Sequence, residues 1–158
     1  MGAVILSAGF EPFDAKLLKE FGYGRFKNVL TSMDFERILS STGPYEGEIR
    51  RTSDLKHPKK IAWIQCIGSR SSQKPANSYC SSVCCTYTQK QVILTKDHAP
   101  DAQCTVFHND IRAYGKDFER LLSDQGETGM RLLSSAARSL PGRAGGSPDN
   151  SASGDRGA

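Results

Sequence analysis

Three short apolar runs in the chain predict the strands of a β-sheet. Each has five to seven residues and leads into a polar or glycine-containing turn, which is typical of buried strands in a parallel sheet. Strands of this kind bring the chain to a binding site at the carboxyl edge of the sheet. The runs are Ala3–Ser7, Ile61–Ile67 and Cys104–His108.

Helical spacing of apolar positions predicts four further segments. Ser32 is the expected N-cap of the second helix. Ser78 or Ser81 is the expected cap of the third helix, which Pro100 ends. The helices are expected at Phe13–Phe21, Ser32–Leu39, Cys80–Asp97 and Tyr114–Leu122.

The order of these elements predicts an α/β fold with parallel strands. Strand, helix and strand follow one another within residues 60–122, which is the spacing of a βαβ unit. A loop rich in glycine and proline, Ser40–Lys59, separates this unit from residues 1–39. Residues 123–158 carry little pattern, and Pro141–Ala158 has no large apolar side chain, so we expect a weakly structured to disordered tail.

Composition excludes two classes of partner. The 158-residue chain has a mean hydropathy of −0.46 and no apolar run near the ~20 residues of a membrane helix, which predicts a soluble protein without membrane insertion. Its net charge of +4 comes from 21 basic and 17 acidic residues that are scattered along the sequence. A nucleic-acid surface would need clustered basic residues, so none is expected.

Five cysteines in a chain without a basic leader or export signal predict a cytoplasmic protein with reduced thiols. Four of them form the pattern Cys66-x13-Cys80-x3-Cys84-Cys85. Cys66 falls at a strand end and the other three at the start of the next helix, so the four sulfurs can converge. Four thiolates suit a [4Fe–4S] cluster, and a helix N-terminus favours its negative charge.

Three other interpretations of the cysteines remain open. Four thiolates also hold structural zinc, although two CxxC pairs are the usual arrangement. A thiol–disulfide switch would need only Cys84 or Cys85 and one partner. Cysteine is also an ordinary small buried residue, which is our interpretation of Cys104 in the third strand.

Several segments resemble the family of heterodisulfide reductase A subunits over roughly residues 2–122. This resemblance implies an FAD-dependent iron–sulfur oxidoreductase subunit with a Rossmann-like, thioredoxin-reductase-like FAD/NAD-binding scaffold. It assigns the [4Fe–4S] cluster to the four patterned cysteines. Expected partners are B- and C-like subunits and hydrogenase or dehydrogenase subunits. The similar segments are Gly9–Phe13, Phe35–Leu39, Gly43-Pro44, Ile64–Arg70, Tyr79–Tyr87 and Asp110–Lys116.

The resemblance also predicts that the chain is an internal fragment. Family members are several times longer, and their glycine-rich GxGxxG dinucleotide fingerprint does not occur in this sequence. Residues 1–59 would then be the C-terminal part of the FAD-binding region with a linker loop, and the chain alone need not be active.

The family pattern further implies residues that contact FAD. Gly9, Phe10 and Pro12 would form a turn beside the cofactor, and an ordinary turn is the alternative. Lys90 matches a Cys-Cys-x4-Lys pattern and would act catalytically by stabilising the reduced flavin, against a solvent-facing lysine as the alternative.

Residues after the second strand are further candidates. Gly68 and Arg70 follow it at the sheet edge, where Arg70 would contact a phosphate or the cluster, or else lie on the surface. Asp110 and Arg112 are expected to form a local ion pair.

Overall fold

The structure, a computed structural model, describes residues 2–6, 9–124 and 129–134. Two short 3-10 turns come first, followed by three α-helices and three strands. In chain order these are Ala15–Leu17, Lys19–Phe21, α1 (Ser32–Leu39), β1 (Lys60–Ile64), α2 (Cys84–His98), β2 (Gln103–His108), α3 (Phe118–Asp124) and β3 (Arg131–Ser134).

The three strands form one parallel sheet in the order β1-β2-β3. Trp63 of β1 lies opposite Val106 of β2, and Val106 lies opposite Leu132 of β3. Helix α2 connects β1 to β2, so the predicted βαβ unit and the α/β class are confirmed. Three strands do not identify a Rossmann-like FAD-binding scaffold, which stays a prediction.

Helix α1 has the predicted bounds but a different cap. Thr31 Oγ1 accepts a hydrogen bond from the Asp34 amide at 3.2 Å, and Asp34 Oδ2 accepts one from the Thr31 amide at 3.0 Å. This reciprocal capping box makes Thr31 the N-cap, and Ser32 is the first helical residue. Ile38 and Leu39 are buried on the inner face.

Helix α2 begins at Cys84, four residues later than expected. Its N-cap is Val83, which makes no side-chain capping bond, so neither Ser78 nor Ser81 fills that role. Ser82 has a φ of +64°, a left-handed conformation that a helix cannot contain, so the helix has to start after it. The helix ends at His98, just before Pro100, as the sequence predicts.

The centre of the fold is a small apolar cluster between α2 and the sheet. Val92, Cys104 and Val106 are almost completely buried, and Trp63 and Met130 pack against them. We call Val92, Cys104 and Val106 the sheet core. The interpretation of Cys104 as a core residue is confirmed.

Some predicted elements are wrong. Residues 3–6 form no strand, and Val4, Ile5 and Leu6 are 76%, 89% and 88% exposed, because no strand of the described sheet pairs with them. The single helix at Phe13–Phe21 is replaced by the two 3-10 turns, the second of which ends at Gly22 with a φ of +77°.

The boundaries of two later elements also differ. Strand β1 stops at Ile64, and α3 starts at Phe118 rather than Tyr114. Strand β3 lies in the segment 123–158 that was predicted to be weakly structured, because its four residues are all exposed and carry no alternating pattern. The tail at Pro141–Ala158 lies outside the described residues. Within the described ranges, no helix has the length and apolar character needed to cross a bilayer.

Candidate functional site

Cys66 lies just beyond the carboxyl end of β1. The Gln65 amide still donates to the Phe107 carbonyl at 2.9 Å, so the sheet holds the chain up to that residue. Cys66 then adopts a φ of +62°, and the Ser69 amide closes a turn by donating to the Cys66 carbonyl at 3.1 Å. Left-handed non-glycine residues are uncommon, and they concentrate at functional sites.

Cys80 lies in the loop before α2, not on the helix. The Ser82 amide donates to Cys80 Sγ at 3.4 Å, which fixes the sulfur beside the turn at Ser82. The prediction that Cys80 lies at the start of the helix is therefore wrong. Cys84 and Cys85 are the first two residues of α2.

The four patterned cysteines nevertheless lie in one neighbourhood. Cys66 interacts electrostatically with Cys80 and Cys84, and Cys85 interacts with Cys84 and Cys66. None of them forms a disulfide. We call Cys66–Arg70, Cys80–Cys85 and Asp110–Arg112 together the cysteine junction.

Neighbouring donors shift the pKa values of the thiols in different directions. The Cys85 thiol donates to the Cys84 sulfur, which lowers the pKa of Cys84 and raises that of Cys85. The Ser81 hydroxyl and the backbone amides of Cys66 and Cys85 also donate to Cys84. Burial raises the pKa of Cys66, and the charge of Cys84 raises it further. These hydrogen bonds stabilise the thiolate form of Cys84.

Among the described residues, no group of three or more His, Cys, Asp or Glu side chains has the arrangement of a site for a metal ion. The cysteine sulfurs are neighbours without forming such a set. In a cubane cluster each thiolate binds a different iron, so the ligand sulfurs lie further apart than those around a single ion.

Arg70 connects the loop after β1 to the loop after β2. Its Nη1 lies 4.0 Å from Cys66 Sγ and also pairs with Asp110 Oδ1. Asp110 Oδ2 accepts from Arg112 Nε at 3.4 Å, so the local pair predicted from the sequence is present but shared. Arg70 lowers the pKa of Asp110 through its hydrogen bond. The Arg112 amide donates to the Cys85 sulfur, which brings the loop after β2 onto the cysteines.

A cleft of about 700 Å³ adjoins the cysteine junction. It lies among the N-terminal segment, α1 and β1, and Cys66 is one of its lining residues. Arg50 and Arg51 also line the cleft, and each is already paired with a neighbouring carboxylate, of Glu48 and Asp54 respectively. Its aromatic lining consists mainly of Phe10, Phe13, Tyr23, Phe35, Trp63 and Tyr87.

The predicted cofactor-binding residues lie in several different places. Phe10 and Pro12 line the cleft. Gly68 lies under the Phe13 ring, where a Cβ would come within 2.2 Å of Phe13 Cγ, so this position requires glycine. Gly9 has a φ of +72° and open space around it. Arg70 faces Cys66 and Asp110, as described above.

Lys90 lies at the contact between α2 and α1. Its Nζ pairs with Glu36 Oε1, and Lys90 is not among the residues that line the cleft. Gln91 donates to Glu36 Oε2 at 3.1 Å and accepts from Trp63 Nε1 at 3.1 Å. Sequence reasoning missed Glu36 and Gln91, because a polar residue in an otherwise helical pattern gives no sign that it contacts another helix or strand.

Comparison with known proteins gives consistent matches to one kind of protein. The chain is 39% identical over 136 residues to the CoB–CoM heterodisulfide reductase iron–sulfur A subunit 1 of Methanopyrus kandleri, covering 84% of the chain and 20% of the relative. It is 40% identical over 136 residues to the A subunit of the H2:CoB–CoM heterodisulfide,ferredoxin reductase of Methanothermobacter marburgensis, with the same coverage.

A third relative is the A subunit of the ferredoxin/F420H2-dependent CoB–CoM heterodisulfide reductase of Methanosarcina acetivorans. It is 39% identical over 132 residues, which cover 84% of the chain and 16% of the relative. The chain thus spans about a fifth of the length of the curated relatives that it matches. No family model matches the chain.

Proposed function

The chain is related by sequence to one segment of the heterodisulfide reductase A subunits, and from this relationship we propose that it is part of an electron-transferring iron–sulfur flavoprotein subunit. In this proposal Cys66, Cys80, Cys84 and Cys85 hold a [4Fe–4S] cluster. The observation that carries the proposal is the neighbourhood of these four unpaired thiols where β1 ends and α2 begins.

The surroundings of the thiols fit an anionic sulfur group. Backbone amides of Cys66, Cys85 and Arg112 donate to the sulfurs of Cys84 and Cys85, and the Ser82 amide donates to Cys80. Arg70 adds a positive charge beside Cys66. Donors of this kind offset the negative charge of thiolates and of the inorganic sulfide that a cluster contains.

The cleft beside Cys66 is the place that we propose for FAD. Its volume falls in the usual range of small-molecule sites, and its aromatic walls suit a flat ring. Phe10 and Pro12 would pack against that ring, and Arg50 or Arg51 would pair with its phosphates once released from its own carboxylate partner. When bound, FAD and the cluster would together supply electron relay between two-electron and one-electron carriers.

For Lys90 to act on the flavin, its Nζ would have to leave the Glu36 carboxylate and contact the flavin ring instead. Replacing Lys90 by Ala should then change the flavin spectrum or potential in the FAD-loaded protein. Lys96 is a matched control on the same helix, because its Nζ donates to the Pro100 carbonyl at the far end. If Lys90→Ala and Lys96→Ala leave the flavin equally unchanged, Lys90 has no role in flavin chemistry.

The relatives' names describe subunits of larger reductases, so we propose partner subunits similar to the B and C subunits, or to hydrogenase or dehydrogenase subunits. A cytoplasmic location follows as part of the same proposal. The electron donor and acceptor would come from those partners.

Anaerobic reconstitution of the chain with iron and sulfide tests the cluster directly. We expect a brown protein with broad absorption near ~400 nm and about four irons per chain. A colourless protein that binds one zinc would replace the proposal with a structural zinc module. A metal-free protein with reactive Cys84 and Cys85 would instead indicate a thiol–disulfide switch.

A further inference from the structure

Gln89 lies one helical turn after Cys85 on the buried side of α2. Its residue exposure is 3% and that of Cys85 is 4%. Residues four apart share a helical face, and helical side chains point back toward the N-terminus of the helix. We therefore expect the Gln89 side chain to lean toward the turn that carries Cys85.

The Gln89 amide has no hydrogen-bond partner in the described part of the chain. Both Nε2 and Oε1 are buried and unbonded. Gln91, two residues later, is equally buried, yet its Oε1 accepts from Trp63 and its Nε2 donates to the Ser32 carbonyl and to Glu36. A buried amide without a partner is unfavourable, so the Gln89 amide is available to bind a further group.

We propose that Gln89 Nε2 is a hydrogen-bond donor to the sulfur at the Cys85 position once the cluster is bound. The inference rests on the proposed function, and it makes Gln89 a positioning residue that acts on the cluster potential. Sulfur that carries negative charge attracts a buried N–H donor, and the backbone amide of Arg112 already donates to the same sulfur. A donor to sulfur stabilises the reduced, more negative form and raises the reduction potential.

The test compares Gln89→Met with Thr95→Val in the reconstituted chain. Thr95 is fully buried on the same helix, and its hydroxyl is also unbonded, but it lies ten residues from Cys85. Both variants remove a buried orphan group at nearly constant volume. Both should therefore raise the melting temperature of the metal-free chain slightly.

The cluster potential separates the two variants. Redox titration followed by electron paramagnetic resonance should give a lower midpoint potential for Gln89→Met and an unchanged one for Thr95→Val. Gln89→Leu is prepared in parallel, in case the methionine does not pack. Equal potentials in the wild type and the loaded Gln89 variant, with full iron content in both, would overturn the inference and leave the proposed function intact. A wild-type chain that binds no iron would overturn both.

Discussion

The cysteine junction and the sheet core contain the same thiol side chain in opposite settings. Cys104 is fully buried in β2 and packs with Val92 and Val106, where the backbone is regular and the cluster around the sulfur is apolar. The junction consists of loops and the first two residues of α2, with left-handed residues at Cys66, Arg70 and Ser82, and its sulfurs receive hydrogen bonds from amides. A cysteine's surroundings therefore distinguish a packing role from the proposed ligand role better than its burial does.

The same contrast between the cysteine junction and the sheet core is visible along α2. Its first turn carries Cys84 and Cys85, while Val92 two turns later belongs to the core. The helix thus connects the polar cysteine junction to the apolar sheet core. If the two regions are energetically distinct, substitutions should affect either metal binding or stability, and seldom both.

The largest expected effect separates the two kinds of cysteine. Cys84→Ala should remove a ligand and lower the iron content of the reconstituted chain from about four to fewer than about one per chain. Cys104→Ala should keep full iron content, because its sulfur lies in the sheet core. Iron and sulfide assays check both, and equal iron loss in the two variants would erase the distinction.

Val92→Ala tests the opposite region. Val92 is completely buried, and the loss of two methyl groups with the resulting cavity should lower the free energy of unfolding by about 2–3 kcal/mol. Urea denaturation of the metal-free chain measures this loss. The folded variant should still bind iron as the wild type does; a failure to do so would mean that core and junction form one cooperative unit.

Charge changes at the junction should have smaller effects with opposite signs. Arg70→Gln removes the cation beside Cys66 and should lower the cluster potential, whereas Asp110→Asn frees Arg70 from its anion and should raise it. Both groups are partly or largely exposed, so the shifts should be on the order of tens of millivolts and should shrink at high salt. Potentials that move in the same direction would contradict this arrangement.

The smallest effect concerns Glu36, which is outside both regions. Hydrogen bonds from Lys90 and Gln91 lower its pKa, against the effect of burial. A lowered folded-state pKa stabilises the protein above the ordinary Glu value of 4.5, and this contribution disappears as the pH falls through the lowered value.

Glu36→Gln should therefore cost at most about 0.5 kcal/mol near neutral pH, since a third of the side chain is exposed and solvent screens the pair. The difference from the wild type should shrink below pH 4.5. Urea denaturation at several pH values measures it, with iron content as the unchanged control. A difference that grows in acid would contradict the lowered pKa.

The sequence predicts the regular half of the molecule well. Apolar runs and their spacing give α1, the βαβ order and the core position of Cys104, because burial of side chains dictates these patterns. The same reasoning placed Cys80 on a helix, since sequence patterns do not reveal that Ser82 is left-handed. It also predicted a strand at residues 3–7, because apolar character indicates burial without identifying a partner strand.

The irregular half depends on contacts that no local pattern encodes. The partners of Arg70 and Lys90 are 40 and 54 residues away in sequence, at Asp110 and Glu36. The spacing of the four cysteines predicted that their sulfurs meet between the strand end and the helix start, and the family resemblance favoured a [4Fe–4S] cluster over zinc as the proposed occupant.

Cys66 belongs to both the cleft and the cysteine junction. A molecule bound in the cleft would thus contact the cysteine junction through Cys66, with the other three sulfurs beyond that thiol. The cleft and the cysteine junction therefore lie one after the other. Covalent capping of Cys66 by a bulky maleimide would consequently obstruct the cleft and remove one ligand in a single step.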